Sequence, residues 1–87
     1  MTVKTIGSIE RVPLAVDYRR MYRGEAEIAI GSMTTTPCPI EFVLEMSPLG
    51  SHEVSITFLG PTDYPTVPAL QILKAYITQL DRSGSLP

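Results

Sequence analysis

The sequence predicts an α+β fold: a small, mostly antiparallel sheet of about four strands in the order ββββα, covered on one face by a C-terminal amphipathic helix. Two observations carry this. Apolar and polar residues alternate over His52 to Leu59 and, with Val43 the exception on the polar face, over Ile40 to Met46, with a proline-glycine turn between the runs. After Gly60 the apolar spacing changes from two residues to three and four, the period of a helix packed on one side.

The N-terminal stretch Val3 to Val12 is rich in β-branched residues, but its alternation is poor and Gly7 interrupts it, so a strand with a bulge or bend is expected. A further strand is expected at Glu25 to Ile30, with Ala26, Ile28 and Ile30 on one face, Glu25 and Glu27 on the other, and Gly24 and Gly31 at its ends. The segment Ser32 to Pro39 is too long for a tight turn. Prolines two apart, Pro37 and Pro39, argue against a central strand there, which leaves a flexible connection whose threonines prolong either neighbour.

Ile40, Phe42, Leu44 and Met46 then share one face, and Val54, Ile56 and Phe58 alternate with Glu53, Ser55 and Thr57. Between the two runs, Ser47-Pro48-Leu49-Gly50 has proline where its fixed φ suits the second turn position, so a hairpin is expected. After the turn residues Gly60 to Pro65, Thr66 is the expected helix cap and Pro68 falls in the first turn, where a missing N–H does no harm. Leu70, Leu73, Ile77 and Leu80 form the apolar stripe, widened by Ala69, Ile72 and Tyr76, with Gln71, Lys74 and Thr78 on the wet side. Gly84 is the expected terminator, and residues 83–87 are expected to fray.

With 87 residues the chain is read as one domain with one core, burying about two-thirds of its unfolded surface. The apolar share of 44% is ordinary for a globular protein, and the charged share of 18% is too low for a disordered or long solvated chain. No membrane span is expected, because no apolar run approaches the required length. The single cysteine, Cys38, excludes an internal disulfide and favours a reducing compartment, so a cytoplasmic location is expected. Net charge is −2, but up to Gly24 there are five basic residues against two acidic ones, and from Glu25 onward two basic against seven acidic. The two parts are able to attract one another within a chain or between copies, and the overall charge does not steer a polyanion.

The densest polar-aromatic cluster is Tyr18, Arg19, Arg20, Tyr22 and Arg23. Guanidinium forks pair with phosphate and phenol rings stack on bases, so these five residues are the candidates for a nucleic-acid site. The competing reading is a surface turn whose arginines pair with the acidic strands that follow, and the acidic balance of the chain favours it. Cys38 and the sole histidine, His52, are candidates for an activated thiol only if the fold brings them together, with Asp63 and Tyr64 as further lining of such a pocket. One cysteine and one histidine do not make a structural zinc site, and the pairs Glu25/Glu27 and Glu41/Glu45 read as solvated outer faces. No cofactor is implied. The expected role is that of a non-enzymatic interaction module, contacting a protein partner or a second copy through a sheet face or edge, because four strands have a single helix to cover them.

Overall fold

The computed structural model describes residues 1–87 and has the expected architecture. Strands β1 (Thr2–Val12), β2 (Arg19–Ile30), β3 (Met33–Thr34), β4 (Cys38–Met46) and β5 (His52–Phe58) precede helix α1 (Thr66–Arg82). All strand pairs are antiparallel, in the order β1-β2-β4-β5, and the short β3 pairs with the end of β2.

The irregular alternation of β1 has a specific origin. Val3 and Thr5 stand opposite the adjacent residues Ile28 and Glu27, and Gly7 and Glu10 stand opposite Glu25 and Arg23, so the strand carries an extra residue at two places. These irregularities turn a two-residue period into a three-residue one: Val3, Ile6 and Ile9 all pack on the core, which strict alternation forbids. Ser8, within the second bulge, takes φ +54, a left-handed conformation that a non-glycine residue adopts only under local constraint. Opposite it, Gly24 leaves the room required. A β-carbon there would stand 2.9 Å from Ile6 Cγ2, 3.1 Å from the Gly7 carbonyl oxygen and 3.3 Å from Ile9 Cγ1.

β2 is twice as long as its expected segment, because Arg19 to Gly24 is extended rather than a turn. It turns back at Gly31-Ser32, with Gly31 at φ +61, a conformation glycine adopts without penalty. The register then slips by one residue between the β2–β3 and β2–β4 ladders. Thr35 fills the gap: its amide donates to the Ile28 carbonyl at 2.9 Å, and its hydroxyl meets both the Ile28 N–H and carbonyl at 3.1 Å. The connection is therefore a bulged strand continuation. Pro37 lies outside the strands, but Pro39 is inside β4, a central strand, contrary to expectation. It is tolerated because its nitrogen faces the last rung toward β5, where Pro39 only accepts, from the Leu59 N–H at 2.8 Å.

The β4–β5 hairpin closes as expected, with seven regular pairs from Ile40↔Phe58 to Met46↔His52 and the Gly50 N–H donating to the Ser47 carbonyl. The core unites Ile6, Tyr22, Ala26, Ile28, Ile40, Phe42, Leu44 and Tyr64 with Ala69, Leu73 and Ile77 of the helix. Met46 and Ile30, expected on the inner face, lie at strand ends and remain exposed. Thr66 is the first helical residue, and Pro65, in extended conformation, occupies the cap position without a side-chain bond. At the other end Gly84, φ +69, closes a Schellman motif in which Ser85 N–H meets Leu80 and Gly84 N–H meets Asp81. Beyond it Leu86 packs half-buried on the core, and the Tyr22 hydroxyl donates to the Pro87 carbonyl at 3.1 Å. No helix is long and apolar enough to cross a membrane.

Candidate functional site

The Arg/Tyr cluster does not form one surface, because strand alternation divides it. Arg19 and Arg23 lie on the outer face, where Arg19 Nη2 meets Glu45 at 3.4 Å and Arg23 Nε meets Glu41 at 3.1 Å. Arg20 and Tyr22 point inward. Tyr22 is fully buried and stacked on its cross-strand neighbour Phe42, ring centroids 5.2 Å apart. Arg20 ties the sheet to the end of the helix, donating to Asp81 at 2.8 Å and to the Tyr22 hydroxyl at 3.3 Å. That bond to Asp81 raises the guanidinium pKa above its ordinary value, outweighing the opposing effect of burial. Tyr18 alone of the five offers a largely exposed ring. It borders an open groove of about 670 Å³ with Glu45, Met46, Pro48 and Glu53.

Cys38 and His52 do not converge. His52 pairs with Met46, at the opposite end of β4 from Cys38, which at about 3.3 Å per residue puts the two about 25 Å apart. Histidine joins the Arg20–Asp81 cluster, its Nδ1 4.0 Å from Asp81 Oδ2. The cysteine is buried, its thiol turned to the carbonyls of Pro39 at 3.6 Å and Gly60 at 3.7 Å. Of the residues grouped with it, Asp63 and Tyr64 do come near, in a cleft of about 270 Å³. The paired glutamates sit on the wet face, as their spacing indicated, with Glu41 and Glu45 engaged by arginines.

The two edges of the sheet are built differently, which sequence reasoning passed over. β1 is blunted by its bulges and carries exposed Lys4, Glu10 and Arg11, devices that keep an edge strand from pairing with another chain. β5 has fewer of them: it is regular throughout, without proline or lysine, and exposed Glu53 is its one acidic residue. The bond from Ser47 N–H to the Ser51 carbonyl and that from Leu59 N–H to Pro39 fix which backbone groups face β4. Alternation between these two rungs turns Glu53, Ser55 and Thr57 toward β4, and the N–H and carbonyl groups of Val54, Ile56 and Phe58 outward. The side chains of those three residues also remain partly exposed, whereas their β4 neighbours Ile40, Phe42 and Leu44 are at most 2% exposed. The readable signal was the absence of lysine, proline and glycine from His52 to Leu59.

An antiparallel sheet with one guarded and one regular edge, backed by a single helix, defines a small α+β domain. The chain belongs to the BB 0187 family, whose model matches residues 1–82. No curated protein and no solved structure matches it.

Proposed function

We propose that the chain is a non-enzymatic interaction module that associates with a second copy of itself through the edge of β5. The observation that carries this is the contrast between the edges: β1 holds bulges and charges against strand addition, and β5 holds seven regular residues, with the backbone groups of Val54, Ile56 and Phe58 among those facing outward. A second copy is a fitting occupant because β5 is compatible with its own antiparallel image. Pairing centred on Ile56 sets Val54 against Phe58, and Ser55 against Thr57, with Glu53 opposite Leu59 rather than another carboxylate. The pairing also extends the apolar inner face over Val54, Ile56 and Phe58, the core residues left partly open in a single copy.

Sedimentation over a range of concentrations tests the proposal, comparing the native chain with Ser55→Lys/Thr57→Lys. Both positions are exposed on the outer face, so the monomer fold, followed by circular dichroism, is expected to survive. The native chain is expected to approach twice the monomer mass, and the double variant, with lysines facing lysines, to remain monomeric. A native chain that stays monomeric at high concentration, or a variant that dimerises equally well, overturns the reading.

A further inference from the structure

Strand alternation sorts the charges of this chain by face. β2 pairs with β4 without a register shift, and its inward residues Tyr22, Ala26 and Ile28 join the core with α1, so Arg19, Met21, Arg23, Glu25 and Glu27 lie on the far side of the sheet. Register puts Glu10 and Glu41 beside Arg23, Glu45 beside Arg19, and Glu53 beside Glu45, all on that same side. Every glutamate of the chain therefore shares the outer face, and the one helix packs on the inner face.

Three neighbouring rows across the strands form a pattern. The middle row is apolar: Val12, Met21 and Val43 stand in register and are half-buried. Arg19, Glu45 and Glu53 flank it on one side, and Glu10, Arg23 and Glu41 on the other. Each flanking row has two glutamates and one arginine, which leaves one negative charge unbalanced. Its ion pair, Arg19–Glu45 or Arg23–Glu41, is solvated and holds weakly, so a partner's cation is able to enter it. Glu45 and Glu53 oppose one another directly, an arrangement that destabilises a sheet, and no ion pair reaches Glu53. The open groove of about 670 Å³ lined by Glu45, Glu53 and Tyr18 borders this row and has room for a long side chain.

We propose that the outer face docks a basic amphipathic helix of a protein partner, laid across the strands with its apolar stripe on Val12, Met21 and Val43 and lysine or arginine on both flanks. The dimensions fit. Three strands span about 10 Å and adjacent rows lie about 6.6 Å apart, whereas a helix is about 10–12 Å wide and advances about 5.4 Å per turn, so two turns cover the apolar row and its flanks reach the charged ones. Methionine at the centre adapts to the side chains it meets. This surface is distinct from the β5 edge, and docking on it requires no pairing of copies.

A peptide of leucine and lysine about four helical turns long, with leucine at helical spacing, is the probe, titrated into the native chain while backbone amide resonances are followed by NMR. It is expected to shift Met21, Glu41 and Val43 saturably. The same peptide with glutamate for lysine is expected to leave them unmoved, and oligolysine of equal length, which has the charge without the stripe, to bind at least about tenfold more weakly. Glu10→Lys/Glu45→Lys makes both flanking rows positive at solvent-accessible positions away from β5. With its fold confirmed by circular dichroism and its sedimentation matching that of the native chain, it is expected to weaken binding by about tenfold or more. The comparison of peptides on the native chain holds whatever the stability of that variant. Absence of binding, equal binding of oligolysine or of the glutamate peptide, undiminished binding by the folded variant, or shifts centred on β5 or α1 instead would each overturn the proposal.

Discussion

Replacing Gly24 by alanine is expected to destabilise the fold by about 1–2 kcal/mol, although alanine is ordinarily the better residue inside a strand. Two effects oppose one another. Losing glycine's freedom in the unfolded chain favours the variant by about 0.5–1 kcal/mol. Against this, the new methyl would stand 2.9 Å from Ile6 Cγ2, closer than real β-carbons come to another heavy atom, and 3.1 Å from the Gly7 carbonyl oxygen, tighter than most such contacts. Overpacking of a core costs about 1–3 kcal/mol, and here it wins because Ile6 is itself buried and the second obstacle is backbone. A double-mutant cycle isolates the cause. Ile6→Ala alone should cost about 2–5 kcal/mol, but it removes the Cγ2 that the new methyl meets, so the combined variant should be at least about 1 kcal/mol less damaged than the two single losses added together. Urea unfolding of the four proteins gives the four free energies. Additivity within about 0.5 kcal/mol, or a Gly24→Ala variant more stable than the native chain, would refute the claim that the bulged β1 folds Ile6 and Ile9 over a missing side chain.

Three further expectations follow from the core, the ion pairs and the titration of Tyr64. Leu73→Ala, at a fully buried position, should cost about 2–5 kcal/mol in urea melts, and Lys74→Ala, exposed on the next position, no more than about 0.5. Asp81→Asn, which weakens the partly buried tie from Arg20 across sheet and helix, should lower stability by about 1 kcal/mol, whereas Glu45→Gln at the exposed Arg19 pair should be nearly neutral in the same melts. Because the folded chain holds the Tyr64 proton more tightly than the unfolded chain, its contribution to stability is complete below about pH 10 and declines as pH rises through the higher folded value. Tyr64→Phe should therefore lose less stability than the native chain between about pH 10 and pH 11.5, measured by urea midpoints, and parallel losses would contradict the assignment.

The sequence disclosed those parts of the fold in which one local rule acts alone. The β4–β5 hairpin and α1 each have uninterrupted periodicity and flanking turn residues, and both lie where they were expected. β1 was less legible because two extra residues change its period, and their effect depends on the room left by Gly24, a residue 15 or more positions away in a different strand. The extension of β2 through Arg19 to Gly24 was hidden by its arginines, whose partners Glu41, Glu45 and Asp81 are distant in sequence. Proximity in sequence likewise misled for the candidate site: alternation sends Arg19 and Arg20 to opposite faces, and the length of β4 separates Cys38 from His52. Which edge stands open is a property of strand order, and strand order is settled only when the long connection from Ile30 to Cys38 folds back along β2.

Amide hydrogen exchange along β5 at low and high protein concentration tests the central claim most directly. The amides of Ser55 and Thr57 point to β4 and should be protected at both concentrations, whereas those of Val54, Ile56 and Phe58 should exchange freely in dilute solution and become protected as the chain associates. Protection at those three amides that does not change with concentration, or that appears instead along β1, would contradict the account.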